Sequence, residues 1–461
     1  MRTVITVDPI GVKDPLTNAE RFVMKVEKHA VDIPGMNRMR PLVLPQFADW
    51  ATPDAVITRG RQLRDAMRTH PGVAAVLDSI NGALPGNTVP LFVKLSVGDA
   101  ELITWETLCS TNDKFIALDA RWPIGRITDS VSADTRPTPL FRLPVRILAV
   151  ISAFGIDGQI EEWNALRDAA QEAIDAGLPI AVHAIVGDQN IYHTIASEVA
   201  AGRPWASVAG VDGTGPQLLA KIRKWQPNIV HFFCHGRADD CAQNLELATA
   251  ADYADNTVTA GSVVIDGEQL VAFSDELDNP WLLVLNCCQG AHASRDVLSI
   301  AHRVVSAAFP AAMAMLEPVD ASDAHEFTRA MYDSLLGELA GVKATLAAAD
   351  SCRFEWASIT HHARDSINAM HQSTPTSQRE WALPALYVRD VAPMEFRAAA
   401  INTSDADLAA HHAALKTTVD WLQSMRDQLS EPRRLDAMTK ALTKAGVPRA
   451  LWPNVDGTFG G

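Results

Sequence analysis

Apolar and polar positions change their period along this chain, and the changes divide it into three stretches. Residues 4–7, 89–97 and 115–118 are short β-branched or aromatic runs that predict strands. Residues 57–68 and 73–80 predict helices, with Val73, Val76, Leu77 and Ile80 on one face of the second. Pro137, Pro139 and Pro144 mark a connector after Ser130. From there strand and helix alternate. Residues 145–152 are apolar apart from Arg146, as in a strand covered on both faces. Ile160, Trp163, Leu166, Ala170 and Ile174 form a helical stripe. Further strands are predicted at 179–185, 228–233, 281–286, 311–316 and 383–388. Residues 217–225 predict a helix, and so does the stripe of Val297, Ala301, Val304 and Ala308. A third carries Phe327, Met331 and Leu335 behind Asp320 as its N-cap. Strands separated by helices predict a mainly parallel sheet with helices on both faces.

The last stretch differs. Leu408, Leu415, Leu422 and Leu429 recur every seven residues with Val419 and Met425 between them, and Pro432 ends that helix. Leu435, Met438 and Leu442 continue in a second helix, stopped by Gly446 and Pro448. The expected organisation is an α/β region over 1–140, an α/β domain over 141–400 and a helical hairpin with its tail over 401–461. The hairpin either docks on the rest of the chain or offers a surface at 404–449 for self-association or a partner.

Composition narrows the function classes. The 461 residues are 48% hydrophobic and 21% charged, enough to build two or three packed domains. The formal net charge of −15, with no long Lys/Arg block, argues against nucleic acid or an anionic membrane surface as a partner. Residues 1–10 carry Arg2 and Asp8 and do not read as a secretory leader. The longest apolar candidate, 307–316, is too short to span a bilayer and contains Pro310, so a cytoplasmic protein is expected. The six cysteines, at 109, 234, 241, 287, 288 and 352, lack the paired spacing of a zinc site and are expected to be reduced.

Chemistry concentrates at two predicted strand ends. In an open parallel sheet, ligands bind beyond the carboxyl ends of the strands. One end reads His231-Phe232-Phe233-Cys234-His235-Gly236, and the other reads Asn286-Cys287-Cys288-Gln289-Gly290. A cysteine nucleophile needs a nearby base, most often His, and backbone N–H groups to hold the developing oxyanion. Side chains alternate along a strand, so Cys287 and Cys288 cannot both face a site. Alternation likewise sends Cys234 away from His231 and His235, which argues against a metal shared by His231, Cys234, His235 and Cys241. His231 reads as a structural histidine inside its strand. Asp239 and Asp240 read as turn residues, and His361-His362 as a solvent-facing helix end.

The pair HFFCHG (231–236) and LVLNCCQGA (283–291) resembles the His-Gly and Asn-Ala-Cys signatures of CHAT-domain proteases, relatives of caspases, separases, metacaspases and gingipains. ITWETLCSTNDKFIALDARWPIGRI (103–127), the stretch 297–336 and WALPALYV (381–388) resemble flanking segments of that family in family order, so the likeness spans roughly 85–390. It implies a caspase-like α/β sheet preceded by a pseudo-caspase-like half. It also implies a cofactor-independent cysteine endopeptidase without a metal, with His235 as general base and Cys288 as nucleophile. The N–H groups of Gly236 and Cys288 would form the oxyanion hole, and Cys287 would fill a small buried position. Gly290 comes one position earlier than the family's common Cys-x-x-Gly spacing. Asn286 stands where metacaspase-like relatives carry an Asp that pairs with a basic P1 side chain; Asn286, Glu317, Asp320 and Asp323 are the candidate pocket residues. In biology, the resemblance implies an effector of bacterial antiviral defence that a sensor or regulator protein activates to cut a partner protein. The alternative from another class is an inactive caspase-like scaffold used for docking or sensing, motivated by the Cys-Cys pair and the early Gly.

Overall fold

The computed structural model describes residues 2–13, 20–45, 47, 52–80, 88–95, 100–128, 138–238, 243–255, 260–287, 299–371, 379–389, 391–398, 405–425, 430–444 and 453. Its strands in chain order are β1 (Thr3–Lys13), β2 (Glu20–Lys28), β3 (Arg40–Leu42), β4 (Leu91–Leu95), β5 (Ile124–Thr128), β6 (Leu140–Phe141), β7 (Val145–Ser152), β8 (Ile180–Val186), β9 (Ala206–Gly210), β10 (Ile229–Ala238), β11 (Gln243–Leu247), β12 (Val263–Asp266), β13 (Leu282–Leu285), β14 (Ala311–Met315), β15 (Ser351–Phe354), β16 (Pro384–Val388) and β17 (Met394–Ala398). Its helices are α1 (Pro53–Met67), α2 (Pro71–Ile80), α3 (Gln159–Asp175), α4 (Gln189–Ala200), α5 (Gly215–Trp225), α6 (Ala250–Asp255), α7 (Gly267–Asp275), α8 (Ile300–Ala307), α9 (Ala321–Leu346), α10 (Trp356–His371), α11 (Asp405–Ser424) and α12 (Glu431–Lys444).

One sheet runs through the α/β part in the order β3-β2-β1-β4-β5-β16-β14-β13-β10-β7-β8-β9. The strands β14, β13, β10, β7, β8 and β9 are mutually parallel, the arrangement that strand-helix alternation predicts. β16 lies antiparallel to β14 and parallel to β5. The strand that closes the C-terminal half therefore also joins it to the N-terminal half, and the sheet continues across the boundary expected near residue 140.

Alternation along the strands sorts side chains into two cores. On β10, Ile229 and Phe233 enter the core containing Trp163 of α3, Phe327 of α9 and Trp356 of α10. Val230, Phe232 and Cys234 enter the opposite core, with Leu218 of α5, Phe273 of α7 and Val304 of α8. On β13, Leu282 and Val284 belong to the first core, while Leu283 and Leu285 belong to the second. A strand buried on both faces has little room for polar side chains, so reactive groups are expected at the strand ends.

Three local expectations are corrected. Residues 115–118 do not form a strand: Ile116–Leu118 is a 3-10 turn, and Phe115 makes an isolated bridge to Cys109. The segment is β-like in composition but has no neighbouring strand to pair with. Pro432 lies in the first turn of α12, where its missing N–H costs nothing, rather than at the end of α11. His361 and His362 lie inside α10, and His361 is half-buried with Nδ1 3.1 Å from the Ala117 carbonyl. The hairpin closes on Leu415, Leu422, Met438 and Leu442. Leu429, Gly446 and Pro448 lie outside the described residues. Among the described residues no helix is long and apolar enough to cross a membrane.

Candidate active site

The two chemically loaded segments are neighbours. β10 and β13 pair in parallel, with Ile229 opposite Leu282 and Phe232 opposite Leu285. His235 follows Phe232 by three positions and is half-exposed at the carboxyl end of the sheet. Beyond that end β10 turns to a new partner, β11, with His235 opposite Glu246 and Gly236 opposite Leu245.

Among the described residues, the imidazole of His235 meets a backbone carbonyl. Its Nε2 lies 2.5 Å from the Phe154 carbonyl oxygen. A carbonyl only accepts, so Nε2 carries the hydrogen and, in the neutral ring, Nδ1 is the basic nitrogen. The loop that supplies this carbonyl is anchored. Gln159 accepts from the Ala153 N–H through Oε1 at 3.2 Å and donates to the Ala153 carbonyl through Nε2 at 3.2 Å. Tyr253 donates its hydroxyl to the same Oε1 at 3.0 Å, and its ring meets Phe154 edge-on at 5.1 Å. Ser152 ties the end of β7 to Ala248, donating to its carbonyl at 2.7 Å and accepting from its N–H at 2.8 Å.

β13 is followed by Asn286 and Cys287, both buried. Cys287 packs in the core shared by α5, α7 and α8, the small-residue position expected of it. Cys288, Gln289, Gly290, Asp239, Asp240 and Cys241 lie outside the described residues. Asn286 is 2% exposed, and its Nδ2 lies within hydrogen-bonding distance of Glu162 Oε1 (2.8 Å), the Ala324 carbonyl (3.0 Å) and Thr328 Oγ1 (2.9 Å). Its amide is thus committed beneath the strand end. Glu317 pairs with Arg379 at 3.0 Å. Asp320 stands at the N-cap of α9 but is exposed, and its side chain makes no cap hydrogen bond. Asp323 is buried against His371, whose Nε2 lies 2.5 Å from Oδ1; burial pushes the Asp323 carboxyl up, and His371 works against that.

The residue that organises the buried layer was not singled out from the sequence. Glu162, in the first turn of α3, is 1% exposed. Its Oε1 accepts from Asn286 Nδ2 and from Thr328 Oγ1 at 2.6 Å, and it lies 2.8 Å from His231 Nε2. Its Oε2 accepts from His325 Nδ1 at 2.9 Å. Burial opposes its charge, but the contacts with His231 and His325 outweigh that and hold the carboxyl at about 2. Gly158 makes room for this arrangement. It has φ of 92°, and a Cβ there would stand in contact with the His325 ring. His231 is buried within β10, with its Nε2 beside Glu162. The only sequence hint for Glu162 was a carboxylate on the apolar side of a helix, next to Trp163. Among the described residues, no group of three or more His, Cys, Asp or Glu is arranged to hold a metal ion.

Fold and strand-end chemistry together define a helix-covered, mainly parallel α/β protein with its candidate site at the carboxyl ends of two adjacent central strands. Residues 170–368 match the family model of the CHAT domain. That stretch is narrower than the 85–390 over which the motifs resemble the family. Similar solved structures include the separase–securin complex of Saccharomyces cerevisiae, at 10% identity and TM-score 0.34, covering 74% of this chain and 17% of that one. This chain therefore spans about a sixth of the separase chain. The Arg-specific cysteine proteinase gingipain R is similar at 9% identity and TM-score 0.39, covering 76% of this chain and 71% of that one. No curated protein matches the chain.

Proposed function

We propose that this chain is a cysteine endopeptidase in which Cys288 is the nucleophile and His235 the general base. The observation that carries the proposal is the environment of His235. It is half-exposed at a strand end, with Nε2–H held by the Phe154 carbonyl and Nδ1 left as the basic nitrogen. Leu285 and Phe232 are register partners, and each chain reaches its proposed reactive residue three positions later. Cys287 packs in the core, which leaves Cys288 as the thiol of that pair to serve the site.

In the reaction, Nδ1 of His235 takes the proton of the Cys288 thiol, and the thiolate sulfur bonds to the peptide carbonyl carbon. The N–H groups of Gly236 and Cys288 receive the oxyanion. The imidazolium then protonates the departing amine as the C–N bond breaks, leaving a thioester. Water attacks the thioester while His235 takes its proton and returns it to sulfur, releasing the carboxylic acid and restoring the thiol. No cofactor enters this sequence. The family resemblance supports a regulated effector of bacterial antiviral defence, switched on by a sensor protein and cutting a partner protein.

The test is N-terminal profiling by mass spectrometry of a peptide library incubated with the full chain and its variants. New N-termini are expected with the parent and with Cys287→Ala, and none with Cys288→Ala or His235→Ala. Persistent cleavage by Cys288→Ala overturns the assignment. A dead Cys287→Ala beside an active Cys288→Ala reverses the two cysteines. Failure of the parent to cleave, together with unreactive Cys288, favours a docking module.

A further inference from the structure

Glu162 gathers side chains from two neighbouring strands and a second helix. One buried carboxylate on α3 contacts His231 on β10, Asn286 at the end of β13, and Thr328 and His325 on α9. These partners lie 69 to 166 positions away along the chain, so the cluster exists only in the folded molecule. Both strands that carry the proposed reactive residues are tied to it: β10 four positions before His235, and β13 two positions before Cys288. With Nδ2 of Asn286 committed to this cluster, its Oδ1 is buried and has no hydrogen-bond partner among the described residues. The amide orientation at Asn286 is therefore set by Glu162 on α3 together with the Ala324 carbonyl and Thr328 Oγ1 on α9. An ionised carboxylate suits the Asn286, Thr328 and His325 donors at once, because it accepts at both oxygens and donates at neither.

We infer that Glu162 is a positioning residue for the nucleophile: it fixes the end of β13 through Asn286, in register with β10 through His231. The inference rests on the proposed Cys288–His235 chemistry. It assigns Glu162 no contact with substrate. Replacing Glu162 by Gln keeps the volume but puts an NH₂ where one of the donors now points. The Asn286 amide after β13 then loses its charged acceptor and keeps only those on α9.

The experiment is the rate of Cys288 alkylation by iodoacetamide as a function of pH, read by peptide mapping on the full chain, with folding followed by circular dichroism. A base-paired thiol should react well below the pH of an ordinary cysteine. E162Q is expected to react at least tenfold more slowly at pH 7, with its profile moved to higher pH. The reciprocal variant E162Q/N286D restores a carboxylate facing an amide and is expected to recover part of the rate. T328V removes one donor and leaves the charge; it is expected to slow the reaction about threefold, and it carries the test if E162Q does not fold. A folded E162Q, or in its place T328V, whose profile overlays the parent's overturns the positioning role while H235A still moves the profile. If H235A also leaves the profile unchanged, the proposed dyad falls, and the positioning role with it.

Discussion

The ion pair of Arg126 and Glu106 offers a quantitative test of how the two halves of the sheet are joined. Both side chains are fully buried, Arg126 on β5 and Glu106 in the turn that carries Trp105. All five guanidinium N–H groups have acceptors: Nε on Glu106 Oε1 at 3.0 Å, Nη1 on the Glu101 carbonyl at 2.9 Å and on Tyr387 Oη at 3.2 Å, Nη2 on the Ile103 carbonyl at 3.0 Å and on Glu106 Oε2 at 2.7 Å. Burial disfavours the guanidinium charge, but the Glu106 carboxylate outweighs it and keeps the group above its ordinary value. A second buried cation, Arg364 of α10, lies 3.8 Å from Glu106, and burial lowers it to about 10. Glu106→Ala leaves these two cations without their carboxylate. Breaking one buried pair by removing a partner costs roughly 3–5 kcal/mol, and the second cation places this case at the upper end. At about 2.1 cal/mol/K per residue, cooperative unfolding of all 461 residues has an entropy of about 1 kcal/mol/K, so Tm should fall by about 5 °C. Differential scanning calorimetry and urea unfolding measure it. The double variant E106L/R126M, which removes the paired charges together, should recover more than half of the loss. A Glu106→Ala protein within about 0.5 kcal/mol of the parent, a typical surface-substitution effect, would refute the view that Glu106, set between Arg126 of β5 and Arg364 of α10, clamps the halves together.

Other outcomes follow from the same structure. Glu162 has a depressed folded value of about 2 against an ordinary 4.5, so its stabilisation is complete above about pH 4.5 and is lost as pH falls toward 2; unfolding titrations should show a shallower acid slope for E162Q than for the parent. Burial, with Arg146 nearby, depresses His183 to about 4, which favours the neutral ring on folding. Stability from this site is present above pH 6.5 and declines as pH falls toward 4, and His183→Phe should flatten that window in urea midpoints measured across it. Gly158→Ala should cost about 1–3 kcal/mol, from a strained positive φ together with the collision with His325; a neutral result by chemical denaturation would show that His325 moves aside freely. Cys109 is buried, and burial pushes its thiol up to about 12. In the native protein Cys109 and Cys287 should resist iodoacetamide under conditions that label Cys288, as measured by peptide mapping.

Periodicity alone located the central strands, because each is an unbroken apolar run between helical stripes. The run at 145–152 is the strand β7 itself, and the expected strands at 281–286 and 311–316 overlap β13 and β14 to within a residue or two at each end. The same pattern marked His235-Gly236 and Asn286-Cys287-Cys288 as strand ends, since local chemistry changes there from apolar to reactive. That one of Cys287 and Cys288 is buried was legible too, because side chains alternate in any extended segment; that it is Cys287 came from the register of the family resemblance. Short edge elements such as β3, β9 and β12 were not legible: three to five residues carry too little periodic signal, and their state depends on the neighbour they pair with. Tertiary structure alone decided that β16 lies between β14 and β5 and joins both halves in one sheet. It alone brought Glu162 to Asn286 across 124 positions and set His235 against the Phe154 carbonyl across 81. A sequence pattern encodes which face of an element is buried. Which distant groups meet on that face is settled by how the elements pack, and the buried polar contacts beneath this site belong to that second class of information.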